Sequence, residues 1–221
     1  MIWINFVGIV LALLGGYLSY AYITFRGKED KSIGGFFKIS VQKKALLFTG
    51  IVLLLALVTG AYGRYRNEYT AVQCYINIVI LFLLYAMAWV DYREKIIPNQ
   101  LILTGLIIWM IEMGIEVFLF YTDFRTVMLF SVLGGGVWGG LLVVIALIAK
   151  TALGMGDAKM FLVIGLIYGL NNTYAILLIS LLIMAVISII LLVLKKVDRK
   201  STVPMAPFVL IGFILCIFLG M

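Results

Sequence analysis

The chain contains no histidine, only two cysteines and three prolines, and charged side chains make up just 12% of its 221 residues. The absence of histidine excludes a His-ligated zinc site and a His-based nucleophile triad. Cys74 and Cys216 belong to no Cys-x-x-Cys pair. Both fall near the outer ends of apolar runs, where they read as small packing residues, with a disulfide as the alternative. This inventory implies no metal and no cofactor. With so few prolines to interrupt it and 65% of residues hydrophobic, the sequence reads as an integral membrane protein. Its apolar runs are continuous rather than alternating, so helices are expected and a β-barrel is not. There is no Ser/Gly linker, low-complexity tract or internal repeat, and residues 1–221 read as one membrane domain.

A run of about 20 apolar residues spans a hydrocarbon core of about 30 Å. Such runs lie near residues 2–24, 45–62, 71–90, 99–120, 127–149, 158–170, 174–194 and 203–220, which predicts an all-α polytopic bundle of eight spans. The first, third, fifth and seventh loops then share a side, and they hold 14 of the 17 Lys and Arg. The first of these loops carries Arg26, Lys28, Lys31, Lys38, Lys43 and Lys44, and the seventh carries Lys195, Lys196, Arg199 and Lys200. Basic residues accumulate in cytoplasmic loops, so this side is expected to be cytoplasmic and both termini to lie outside the cytoplasm. No basic side chain precedes the first span and a dense cluster follows it, the reverse of a cleavable signal peptide. The asymmetry accounts for the net charge of +7, so no nucleic-acid partner is implied. The basic face is expected to attract anionic lipid headgroups, at about 1 kcal/mol per residue near the surface.

Chemistry must then come from carboxylates, Lys, Ser, Thr or Tyr, and only ten acidic residues are present. Glu29, Asp30, Glu94 and Asp198 lie in basic loops, and Glu68 and Asp123 in outer ones. Glu112 and Glu116, four apart on one helical face, sit where water or headgroups reach them, with the lining of a polar cavity as the alternative. Asp91 and Asp157 stand apart. One closes the third span and the other opens the sixth, so both should face the cytoplasm although 66 residues separate them. Two carboxylates within a few ångströms do not both ionise readily, so one holds a proton while the other stays charged. In that state the ionised member can take a proton from water while its partner donates to an amide carbonyl. The sixth span, with 13 residues or roughly 20 Å, falls short of the core thickness, so either it stops partway or its cytoplasmic end is recessed; Asn171 and Asn172 mark an outer boundary, which favours recession and an Asp157 held in a wet pocket.

Gly154 and Gly156 bracket Met155 just ahead of that helix and leave room for an extended substrate backbone. Lys159 either steers a substrate group or marks the membrane interface. Pro98 and Asn99 start the fourth span. Pro204 and Pro207 start the last one, either initiating the helix or forming a rim of the pocket. Gly134, Gly135, Gly136, Gly139 and Gly140 are expected to permit close helix packing. Taken singly, Asp157 reads as an N-cap and Asp91 as a juxtamembrane partner of Arg93 or Lys95. Two carboxylates and two glycines meeting on one side point instead to a site.

Two segments carry a resemblance to the type IV prepilin peptidases, within the intramembrane aspartyl proteases that share a Gly-x-Gly-Asp motif. Asp91-Tyr92-Arg93-Glu94-Lys95-Ile96-Ile97-Pro98-Asn99 is similar to the family's Asp followed by Ile-Pro-Asn, and Gly154-Met155-Gly156-Asp157-Ala158-Lys159 to its Gly-x-Gly-Asp-x-Lys. Pro204-Met205-Ala206-Pro207-Phe208 resembles the family's Pro-x-x-Pro-Phe. The resemblance implies that Asp91 and Asp157 are the catalytic pair. It also implies that Gly154, Gly156, Lys159 and Pro207 border the substrate. The substrates implied are pilin-like precursors with a short basic leader ahead of a hydrophobic helix, cut on the cytoplasmic side of the inner membrane. Many bacterial members also methylate the new N-terminus and carry a cytoplasmic insertion with paired Cys-x-x-Cys motifs. Here the loop from Arg26 to Lys44 is short and has no cysteine, so methylation and S-adenosylmethionine are not implied. Presenilin-like members carry Tyr-Asp and a late Pro-Ala-Leu, whereas this chain has Val90-Asp91 and no such tripeptide.

Two other classes fit the same residues. A transporter or channel could bind protons or cations at Asp91 and Asp157, and would call for charges near the midplane and matched broken helices. A silent membrane scaffold would need both motifs to be accidental.

Overall fold

The computed structural model describes residues 2–26, 43–67, 69–119, 123–148, 154–195 and 203–220. Lys28, Lys31, Lys38, Lys150, Lys196, Arg199 and Lys200, with Glu29, Asp30, Glu68 and Asp198, lie outside the described residues. Among the described residues all regular structure is helical: α1 (Ile2–Arg26), α2 (Lys43–Tyr65), α3 (Ala71–Glu94), α4 (Asn99–Leu119), α5 (Phe124–Ile148), α6 (Met155–Val193) and α7 (Ala206–Leu219). The first six are long and apolar enough to cross a membrane, and α7 is a shorter apolar helix. The protein is therefore a multi-pass membrane helix bundle.

α6 combines the expected sixth and seventh spans. Run straight, its 39 residues would measure about 58 Å, nearly twice a hydrocarbon core. It does not run straight, because Gly169 has φ 70° and ψ −168°, a conformation open to glycine and closed to residues with a Cβ. The Thr173 hydroxyl donates to the Ile164 carbonyl at 3.4 Å. Nine residues of straight helix would separate these groups by about 13 Å, so the chain folds back at Gly169. The first leg, residues 155–168, is about 21 Å long and remains shorter than the core. Counting both legs gives eight helical segments among the described residues. The reversal falls two residues before the expected boundary at Asn171 and Asn172, because the backbone freedom of glycine, rather than asparagine polarity, sets the turn. Trp138 of α5 secures it by donating Nε1–H to the Leu170 carbonyl at 2.8 Å and stacking on Tyr174.

In lipid there is no hydrophobic drive between helices, so association rests on close packing. α5 and α6 achieve this with glycine. A Cβ on Gly134 would strike the Gly165 carbonyl and would lie 2.6 Å from Gly169 Cα, and one on Gly139 would lie 2.6 Å from Leu162 Cβ. Gly135 also faces α6, whereas Gly136 and Gly140 have open space around them, so three of the five expected packing glycines serve that purpose. α3 is the central helix and is buried through most of its length, with Leu81, Leu84 and Met87 against Phe161 of α6 and Phe213 of α7 in one apolar cluster. Its start is fixed by a capping box, in which Thr70 Oγ1 accepts from Gln73 N–H and the Gln73 side chain accepts from Thr70 N–H. α1 lies against α3 where Gly15 meets the Phe82 ring and the Ser19 hydroxyl donates to the Phe82 carbonyl. Cys74 and Cys216 are free and buried.

The two ends of the bundle are distinct. At one, Asn67 donates to the Ile217 carbonyl at 2.6 Å, and Gly8 of α1 lies beside Tyr75. At the other, Arg26 grips Glu94, Tyr22 donates to Gln100, and the start of α7 meets Asp91.

Candidate functional site

Asp91 sits in the last turn of α3, 5% exposed. The helix stops one turn later because Lys95 adopts a left-handed conformation (φ 54°, ψ 35°) and returns its N–H to the Asp91 carbonyl at 2.8 Å. A buried carboxylate needs hydrogen-bond donors. They come from α7, whose Ala206 N–H donates to Asp91 Oδ2 at 3.0 Å while the Met205 amide also serves the carboxylate. α7 has no side-chain cap of its own and carries Pro207, which lacks an N–H, in its first turn. Asp91, 115 residues away, thus supplies the acceptor that the N-terminus of α7 requires. This tie accounts for the start of α7 at the edge of the site, and it was beyond the reach of local sequence patterns.

Asp157 lies in the first turn of α6 and is half-buried. The helix begins at Met155, three residues before the expected start, so Gly154 takes the N-cap position and Asp157 the third helical one. From there the Asp157 carboxylate accepts the Gly154 backbone N–H, the second half of a capping box. It also lies within coulombic reach of Asp91. Two carboxylates far apart in sequence are therefore neighbours at one end of the bundle.

The glycines keep them there. A Cβ on Gly154 would sit 3.0 Å from Asp157 Oδ2, and one on Gly156 would sit 3.0 Å from Ile97 Cβ. The room they leave is occupied by the protein itself: by the carboxylate in one case, and by the α3–α4 connection in the other. Lys159 adds a further tie, with Nζ donating to Asn99 Oδ1 at 3.1 Å. Asn99 begins α4, and Pro98 accepts the first helical N–H groups through its carbonyl. The two sequence segments are thus joined at two points, Gly156 on Ile97 and Lys159 on Asn99, and these contacts hold the two carboxylates within coulombic reach of each other. Asp91 is not held by Arg93 or Lys95 in any ion pair among the described residues; the Arg93 guanidinium instead lies 6.0 Å from the Trp89 ring.

Sequence reasoning gave no role to Arg26 and Glu94 beyond loop charge. They form a bidentate bridge, with Arg26 Nε 2.9 and 3.0 Å from the two Glu94 oxygens and Nη2 2.7 Å from one of them. Arg26 also donates to the Tyr22 hydroxyl, and the network ties the end of α1 to the segment that follows Asp91. Among the described residues no group of three or more His, Cys, Asp or Glu side chains is placed to hold a metal ion.

Residues 78–189, a stretch that includes Asp91, Gly154, Gly156, Asp157 and Lys159, match the profile of the Type IV leader peptidase family. A Prepilin leader peptidase/N-methyltransferase of Xanthomonas campestris pv. campestris is 31% identical over 203 residues, covering 91% of this chain and 66% of that protein. The protein of the same description from Legionella pneumophila is 26% identical over 168 residues, 75% of this chain and 57% of that protein. This chain thus spans from just over half to two thirds of the length of these relatives. No solved structure gives a significant match. On the profile match across more than half its length, with both carboxylate segments inside it, the chain belongs to the type IV leader peptidase family.

Proposed function

We propose that this protein is an aspartyl endopeptidase that removes the leader peptide of type IV prepilin-like precursors at the cytoplasmic face of the inner membrane. The observation that carries this reading is the convergence of Asp91 and Asp157, from α3 and α6, within coulombic reach at one end of the bundle. Water between the two carboxyl groups loses a proton to the ionised one as its oxygen attacks the scissile carbonyl. The protonated one donates to the carbonyl oxygen. Collapse of the tetrahedral intermediate breaks the C–N bond, and the departing amine takes a proton back from the pair. No covalent enzyme intermediate forms. The Ala206 amide of α7 donates to Asp91 Oδ2 and holds the carboxylate in position for that step. Gly154 and Gly156 hold the α6 turn against the α3–α4 connection, and Lys159, Asn99 and Pro207 border the opening where a substrate backbone would enter.

The position of the pair favours hydrolysis over ion transport, since both carboxylates lie at helix ends and not near the middle of the spans. The cytoplasmic orientation rests on the basic residues. Arg26, Arg93, Lys95, Lys159 and Lys195 lie at the end that carries Asp91, against Arg64, Arg66 and Arg125 at the other, and the remaining loop cations of the sequence add to the first group. Substrates would present a basic leader to that face and a hydrophobic helix to the bundle. N-terminal sequencing of a prepilin co-expressed with this protein tests the reading. Cleavage between leader and hydrophobic helix is expected, and a precursor that keeps its leader in the presence of folded protein would refute it.

A further inference from the structure

At the end of the bundle away from Asp91 lies a cavity of about 370 Å³, between α3, α4, α5 and the turn of α6. Asn77, Trp109, Glu112, Glu116, Phe130 and Tyr168 are among its lining residues. Asn77 and Asp91 are 14 residues apart on α3, about 21 Å along the axis. Between them Leu84, Met87 and Met160 are buried in the apolar cluster, and a void beside them measures about 10 Å³.

Its chemistry is unusual for an apolar span. Glu112 and Glu116 lie one turn apart in α4, and ionisable groups inside membrane helices are costly unless a partner is present. No described cation reaches them. Glu112 Oε2 and Trp109 Nε1 are both buried without a hydrogen-bond partner among the described residues. One requires a donor and the other an acceptor, and both line this space. Tyr168 is already committed, its hydroxyl donating to Asn77 Oδ1 at 2.8 Å.

We propose that this cavity binds the alkylammonium group of a small amine, either an ethanolamine lipid headgroup or a free ethanolamine-like molecule. An ammonium donates to Glu112, relieves the repulsion between carboxylates one turn apart, and packs on the aromatic faces of Trp109 and Phe130. An oxygen on the same molecule accepts the Trp109 N–H. A bare metal ion fits less well: the space far exceeds one ion, and the described residues offer no third carboxylate, His or Cys beside the pair.

Trp109 provides the readout. In detergent, titration of the purified protein with ethanolamine chloride is expected to give a saturable change in tryptophan emission that sodium chloride of equal ionic strength does not give. Trp109→Phe removes the signal, and Glu112→Gln or Glu116→Gln raises the apparent Kd at least tenfold. Nanodiscs separate the two sources. Weaker ethanolamine binding in phosphatidylethanolamine discs than in phosphatidylcholine discs identifies a lipid headgroup as the occupant, and equal binding identifies the free amine. Prepilin cleavage by Glu112→Gln stays at the wild-type level, so this test stands apart from that of the peptidase activity. The absence of a saturable signal, or one that survives both glutamate substitutions, would show that the cavity holds only water.

Discussion

Gly154→Ala isolates the position of one carboxylate from the stability of the fold. Gly154 has φ −73° and ψ 140°, which alanine adopts without strain. Losing glycine at the N-cap costs a few tenths to about 1 kcal/mol. The loss is offset by about 0.4–1 kcal/mol from the reduced freedom of the unfolded chain. Folding should therefore be nearly unchanged. The new methyl would lie 3.0 Å from Asp157 Oδ2, where ordinary contact begins at 3.4 Å, so the carboxylate must retreat by about 0.4 Å. If a displacement of 1 Å costs about 100-fold, this one costs roughly fivefold to tenfold in kcat, or about 1–1.4 kcal/mol of barrier. The assay is cleavage of a purified prepilin at saturating concentration, with thermal unfolding measured on the same samples. A kcat within twofold of wild type in a folded variant would refute the reasoning, because it would mean that the exact seat of Asp157 is immaterial.

Other substitutions probe the neighbouring contacts. Gly156→Ala drives a methyl against Ile97 Cβ, on a stiff β-branched residue, and is expected to cost about 1–3 kcal/mol of stability as well as activity; thermal unfolding at wild-type temperature would contradict the contact. Gly134→Val meets the backbone of Gly165 and Gly169 and should prevent accumulation of folded protein in membranes, as followed by detergent-resistant gel filtration. Glu94→Gln breaks the Arg26 bridge, whose partners are 28% and 39% exposed, and is expected to cost under about 1 kcal/mol, with the difference vanishing at high salt in an unfolding titration.

The crossings and the shared side of Asp91 and Asp157 were legible in the sequence because apolar length and the placement of Lys and Arg report directly on the membrane. The rotation of each helix was not. In lipid the outward face is as apolar as the packed one, so nothing in the pattern of α5 separates Gly134 and Gly139, which touch α6, from Gly136 and Gly140, which do not. The tie between Asp91 and the Ala206 amide was hidden for another reason: a backbone donor has no residue identity to read. The work of Gly154 and Gly156 was half legible. Their lack of a Cβ marked a close approach, but the groups that approach are Asp157 and Ile97. Glu112 and Glu116 showed their spacing, whereas the cavity they enter required the fold of α6 at Gly169.

The central claim is that Asp91 and Asp157 act together on one water molecule. Its most direct test is single-turnover cleavage of a prepilin by purified Asp91→Asn and Asp157→Asn proteins, each shown to be folded. Both are predicted to fall to the uncatalysed background, since either substitution removes one of the two proton transfers, and the double variant should be no worse than the single ones. Appreciable cleavage by either single variant would contradict the account.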